Sequence, residues 1–222
     1  MTVAAAISAV LNYTDNVPAT DAGNAGRRLR ILRWLQETLE FVWNFRAWRF
    51  TYTTSSSISV DSSGVAILPT DFGQFGNKGG LFIPATGETL SESMNAKDLY
   101  SRFLAGVRNQ QEFAMLGFDT TTHAPKIQTL MVSTTIAALY CKQAPTLADS
   151  TTLPADDSLD LPIPQDYHNS VLIAGAASKS KVSKGDVRDF KSDFLVGLDM
   201  MCRKEQPMQG DAQELPLSRT GW

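Results

Sequence analysis

The segment from Arg27 to Phe50, RRLRILRWLQETLEFVWNFRAWRF, constrains this chain more than any other. It concentrates six of the eleven arginines (Arg27, Arg28, Arg30, Arg33, Arg46, Arg49), three of the four tryptophans (Trp34, Trp43, Trp48) and three phenylalanines. The spacing predicts a long helix ending near Arg46. Leu29, Leu32, Leu35, Leu39 and Val42 form one apolar line, and Ile31, Trp34, Phe41 and Phe45 cover an adjacent arc. An ordinary surface helix buries a single stripe of about 100°. A wider stripe implies two partners, from the same chain or a neighbouring one, and points to assembly before catalysis.

Periodicity organises the rest. Val3–Tyr13 reads as a short helix capped by Thr2, followed by a linker at Thr14–Ala25. Beyond the long helix the period changes: Trp48–Thr54 and Ile58–Val60 alternate as strands do, and Asp61-Ser62-Ser63-Gly64 is a hairpin turn into Val65–Leu68. Asp71–Gly80 reads as a glycine-rich loop, Leu81–Pro84 as a short strand, and Ala96–Ala105 as a helix capped by Asn95. Phe113–Phe118 is a candidate strand, and Lys126–Val132 and Thr135–Lys142 a candidate hairpin. Asp149–Leu161 is an acidic loop. Pro164 suits the first turn of a helix over Asp166–Val182, with a small-residue centre at Ala174–Ala177. Gly185 is placed to end it and Asp186 to cap the next helix, whose stripe is Val187, Phe190, Phe194, Leu198 and Met201.

This order predicts an α+β, mainly helical protein with a helical core and a small inserted antiparallel β-rich unit. Residues 1–47 supply the first helices of the core, 48–146 the insertion with its short helix, and 147–206 the acidic loop and closing helical pair. Residues 207–222 form an extended C-terminal arm. Strands and helices do not alternate, which argues against a doubly wound or barrel enzyme.

The chemistry expected of a catalyst is missing from the sequence. Asn77-Lys78-Gly79-Gly80 lacks the spacing of a phosphate-binding loop. His123 and His168 have no second ligand at i+3 or i+4. Asp149, Asp156, Asp157 and Asp160 lack the alternation of a calcium loop. Cys141 and Cys202 carry no CxxC spacing and read as free thiols in a reducing compartment. No catalytic residue, cofactor or metal is assigned, and no enzymatic activity is expected. At 222 residues, folding buries roughly 70% of the unfolded chain's surface, so no staple is required. Net charge −3 predicts no broad attraction to nucleic acid or membrane. The N-terminal run MTVAAAISAVLNY lacks a basic n-region and is too short to span a bilayer, so a soluble chain made in the cytoplasm is expected.

Three features stay open between roles. Arg27, Arg30 and Arg33 fit a solvated face paired with Glu37 and Glu40, a protein interface, or contacts to DNA phosphates. Trp34, Trp43 and Trp48 fit either core or subunit interface. The arm QPMQGDAQELPLSRTGW, with anchors Leu215, Pro216, Leu217 and Trp222, fits either plain disorder or a peptide that orders on a partner.

Taken in order, three motifs resemble the head-to-tail adaptor, or connector, proteins of tailed bacteriophages, in particular the podovirus-like neck adaptors. The first is FVWNFRAWRFTYTT with the hairpin that ends in Leu68-Pro69-Thr70-Asp71. The second is LYCKQAPTL (Leu139–Leu147) before an acidic loop. The third is Leu161-Pro162-Ile163-Pro164-Gln165-Asp166-Tyr167, a small-residue helix, a Lys-Gly-Asp break and a last helix with Phe194, Gly197 and Leu198. The likeness spans roughly Arg28 to Arg203, and Arg108–Ala124 falls outside its pattern.

The resemblance implies a structural virion protein of the neck, assembled in the host cytoplasm. It implies a homo-oligomeric ring, usually of twelve copies, under the portal protein and above the tail nozzle or tube. DNA passes through the ring without specific contacts, no membrane is involved, and the C-terminal arm reaches the portal. Two rival readings are a tail- or head-completion protein that binds the tail tube, and an uncharacterised hydrolase acting through an acidic pair such as Asp71 and Glu88.

Overall fold

The computed structural model describes residues 1–14, 25–76, 79–93, 95–147, 160–179 and 189–205. Two hydrophobic cores organise them, one among helices and one inside a β-barrel.

The helical core is built around α2 (Ala25–Phe45). Its Ile31, Leu32, Leu35, Leu39, Val42 and Trp43 are buried. At about 100° per residue these positions cover an arc of about 120°, slightly wider than one ordinary stripe. Against it pack α1 (Val3–Thr14), through Val3, Ala6, Ile7, Val10 and Leu11, and a helical run after Pro164. The Thr2 hydroxyl accepts from the Ala5 amide at 3.2 Å and caps α1. The run begins as a 3-10 turn (Gln165–Tyr167), passes through a π-helical stretch (His168–Ile173) and ends as α4 (Ala174–Ser178). It is followed by α5 (Phe190–Lys204), capped by Asp189, whose carboxylate accepts from the Lys191 and Ser192 amides at 3.1 Å. The last helix is thus capped by Asp189 in place of the expected Asp186, and α4 ends at Ser178, short of the expected Val182; Gly185 and Asp186 themselves lie outside the described residues.

Small residues set the spacing between these helices. A Cβ on Gly197 would lie 2.4 Å from the Ser170 carbonyl oxygen, so α5 meets the π-helical stretch backbone to backbone. The "AGAA" centre of the preceding helix is buried for the same reason, with Ala174, Gly175, Ala176 and Ala177 facing α2 and α5.

A 3-10 turn (Arg49–Thr51) leads from the helices into eight strands: β1 (Tyr52–Val60), β2 (Val65–Ile67), β3 (Phe72–Gln74), β4 (Gly80–Phe82), β5 (Thr89–Glu92), β6 (Glu112–Phe118), β7 (Pro125–Thr129) and β8 (Thr134–Lys142). Seven of them close in the order β1-β2-β7-β6-β5-β4-β8, with β8 returning to pair with β1 from Tyr52↔Cys141 to Val60↔Thr134. On its other edge β8 carries β4 and β3 end to end, at 137–139 and 141–142. Every pairing is antiparallel except β5 with β6. Parallel neighbours need a crossover, and α3 (Ala96–Leu104) provides it. Leu99 and Phe103 of α3 lie over Ala114 and Leu130 on the outside of the barrel, and Arg102 holds Glu112 of β6 at 2.8 Å. Inside the barrel, Ile58, Val60, Leu68, Phe72, Leu81, Leu90, Phe113, Ile127, Ile136 and Tyr140 fill the space.

The expectation of a mainly helical protein with a small antiparallel insert is therefore overturned. The β region is a closed seven-stranded barrel with a core of its own, and 26% of the described residues are strand against 43% helical. The cause is long-range: β1 and β8 join residues some eighty positions apart, which alternation along either strand alone does not reveal. Three local expectations also change. The stretch expected as a glycine-rich loop contains β3, Arg49–Thr51 is a turn instead of strand, and β7 and β8 are not a hairpin, since β7 pairs with β2 and β6.

Candidate interaction surfaces

At the junction of the two units, four aromatic rings form a single cluster. Trp48 is fully buried and stacks between Phe45 (6.4 Å, 18°) and Phe50 (6.2 Å, 14°), while Phe50 meets Trp43 edge-on at 5.6 Å. Each indole N–H is used: Trp48 donates to the Val42 carbonyl at 2.6 Å and Trp43 to the Lys142 carbonyl at 2.6 Å. The second bond ties α2 to the end of β8. Gln36 adds to this tie by accepting from the Leu147 amide at 2.7 Å. The Arg46 guanidinium lies 5.5 Å from the Trp48 ring. Burial pushes the Cys202 thiol up, and Arg46 offsets this only in part.

The residues singled out from sequence do not converge. Trp43 and Trp48 belong to this junction inside the chain, and Trp34 is half-buried on the flank of the helical core. Arg27, Arg30 and Arg33 lie exposed on α2, away from its buried arc. Leu215, Pro216, Leu217 and Trp222 lie outside the described residues, as does the acidic stretch up to residue 159. Asp71 accepts from the Tyr140 hydroxyl at 2.7 Å and pairs with Lys142 at 3.4 Å, while Glu88 holds Gln111 at 2.6 Å and Thr86 at 3.0 Å. Burial, then the Asp71 contact, raises the Tyr140 pKa. Each carboxylate of the pair considered for hydrolysis thus has its own separate set of partners.

Two exposed apolar patches are more telling. On α5, Val196 and Met200 are 57% and 52% exposed while Phe194, Leu198 and Met201 of the same helix are buried. One helix therefore has a face in the core and apolar side chains on its outer side. On the barrel, Phe118 is 68% exposed, and Leu116 and Met115 before it on β6 are exposed too; Ile67 of β2 is exposed at a separate position. Both strands border β7, where Ile67 and Gly117 each stand opposite Lys126. The β6–β7 turn behind this patch is held by Asp119, whose carboxylate accepts from the amides of Thr121 and Thr122 and from the Thr122 hydroxyl. Those bonds, the Thr122 amide first, keep Asp119 below the usual carboxylate range.

A trough lies between α2, α4 and α5. Its deeper part, about 390 Å³, is lined by Thr38, Phe41, Gly175, Phe194 and Leu195, with Glu37, Lys179 and Lys191 at its edge. Glu37 and Lys179 are paired at 2.6 Å. Along α2 it continues into a shallower hollow bounded by Glu37, Glu40, Phe41, Asn44 and Phe45.

Sequence reasoning missed Val196, Met200 and the barrel patch. The signal available was an excess of apolar residues on α5 beyond its buried stripe, and the run FAMLGF, which continues apolar where an alternating strand would turn polar. Among the described residues no helix is long and apolar enough to cross a membrane, and no three His, Cys, Asp or Glu side chains gather as a metal site. No protein-family model matches the chain, and no curated protein matches it.

Proposed function

We propose that this chain is a structural virion protein: the subunit of a head-to-tail adaptor ring that joins a portal vertex to the tail and extends the DNA channel. It acts by protein–protein assembly in the neck, without catalysis. The supporting observation is the apolar surface left outside two complete cores, on α5 (Val196, Met200) and on β6 of the barrel (Phe118, Leu116, Met115). Exposed apolar side chains gathered in patches mark interaction sites. Two such patches on different units suit a subunit that touches a neighbour on one side and a tail or portal component on another.

The barrel's own interior is filled by side chains, so the channel in this reading runs between subunits along the ring axis. A net charge of −3 suits a channel wall that does not grip DNA. The motifs that resemble neck adaptors supply the choice of partners: portal above, tail nozzle or tube below, twelve copies around.

The test is electron microscopy of isolated cognate portal rings mixed with the full chain or with a variant lacking residues 207–222. The full chain should add a layer under the portal, and the shortened chain should stay folded and unbound. Normal docking by the shortened chain would remove the arm from the account.

A further inference from the structure

We propose that the outer face of α2 binds the same face of a second copy of this chain, antiparallel across a two-fold axis near residue 35. Arg30, Arg33, Glu37 and Glu40 are all exposed, and they fall within an arc of about 80° opposite the buried one. Their charges are segregated, with both arginines before both glutamates. When a two-fold axis relates antiparallel helices, facing positions have a constant sum of residue numbers. One register satisfies every charge here, because 30 and 40 have the same sum as 33 and 37. Arg33 then faces Glu37 of the second copy, and Arg30 faces its Glu40, each twice in the dimer. A parallel alignment in register would set like charge against like, so the pattern selects the antiparallel one.

Within the chain these charges are not balanced. Among the described residues neither Arg30 nor Arg33 has an ion pair, while Glu37 is held by Lys179 at 2.6 Å and Glu40 accepts from Gln36 at 2.8 Å. α2 also has no acidic residue in its first turn and no basic residue in its last, so its charges run against the helix macrodipole. An antiparallel neighbour offsets this by setting its C-terminal half beside the first helix's N-terminal half. The acidic half is shaped to receive arginine: Glu37, Glu40, Phe41, Asn44 and Phe45 bound an open hollow of about 500 Å³. Carboxylates beside aromatic rings suit a guanidinium, which forms charge-assisted hydrogen bonds and lies on ring faces. Exposed ion pairs each contribute little, so the dimer is weak and sensitive to salt. A cyclic ring joins unlike surfaces, so this like-on-like contact belongs to the free chain and does not rest on the ring reading.

The experiment is sedimentation velocity of the full chain, without portal, at high micromolar concentration in about 0.02 M and about 0.5 M salt. A dimer should form at low salt and dissociate at high salt. Arg33→Glu alone should weaken it about tenfold or more, since it sets two like-charged pairs across the axis. Adding Glu37→Arg to the same chain should restore it to within about threefold. Arg30→Glu with Glu40→Arg is a second reciprocal exchange, and it leaves the Lys179 contact of Glu37 in place. Arg33→Glu with Glu40→Arg has the same net charge as either reciprocal exchange but crosses the register, and should stay monomeric. Circular dichroism checks that every variant is folded, as the exposure of all four side chains predicts. The proposal is overturned if no dimer forms at low salt, if neither reciprocal exchange restores it, or if the crossed exchange restores it as well. Larger species that none of these exchanges moves would show head-to-tail assembly through another surface, and overturn it too.

Discussion

At Gly64 the backbone fixes the residue's identity twice over, by conformation and by space. It has φ +75°, and a Cβ there would lie 2.6 Å from both the Gln128 side chain and the Thr129 carbonyl oxygen. Beside it, Asp61 binds the turn through the Ser63 amide (2.8 Å), the Ser63 hydroxyl (2.6 Å) and the Val65 amide (2.9 Å). Burial pushes the Asp61 carboxyl up, but the Ser63 hydroxyl and the two amides together hold it below its ordinary value. Gly64→Ala should cost about 3 kcal/mol, from left-handed backbone strain plus overpacking, read as a lower urea midpoint. His168 is the second telling residue. Its Nε2–H donates to the Ile163 carbonyl at 2.8 Å, and its buried Nδ1 has no partner. Burial pushes its pKa down, and the bond to Ile163 recovers only part of this. The unfolded chain therefore takes up the proton first as pH falls. The neutral ring's full stability is present above about pH 6.5 and declines below it. Urea midpoints measured from pH 8 to 5 should fall with acidity, and His168→Gln should flatten that slope.

Among the elements, α5 has two demanding faces. Its inner face approaches the π-helical stretch so closely that Gly197 is required. Exchange of glycine for alanine in a helix ordinarily gains up to about 1 kcal/mol. Here the new methyl meets the Ser170 backbone, and overpacking of about 1–3 kcal/mol outweighs the gain. Gly197→Ala should lower the melting temperature, and a rise would contradict the packing described. What the sequence revealed at this scale followed from range. The long helix, its apolar line, the Asp61–Gly64 hairpin and the Asn95 cap depend on neighbours within a turn or two, and each was legible. Barrel closure through β1 and β8 and the parallel β5–α3–β6 unit depend on partners far along the chain. Alternation along single strands therefore points only to a small antiparallel unit. The surface patches were the least legible, since Val196 differs from Leu198 only in what packs against it.

For the whole molecule, the question is whether its outer apolar side chains make contacts in an assembly. In the proposed ring, Val196 and Met200 form a lateral contact. The double substitution Val196→Asp with Met200→Asp should leave the fold and melting temperature nearly unchanged, because both side chains are more than half exposed. It should still reduce ring assembly on the portal at least tenfold. The central claim, assembly in place of chemistry, is tested most directly by the mass of cognate portal rings incubated with excess chain. Mass photometry should register a cooperative increment of a complete ring, twelve copies, with few partial complexes. A portal peak that does not move while the chain stays monomeric, or a single copy bound per portal ring, would contradict it.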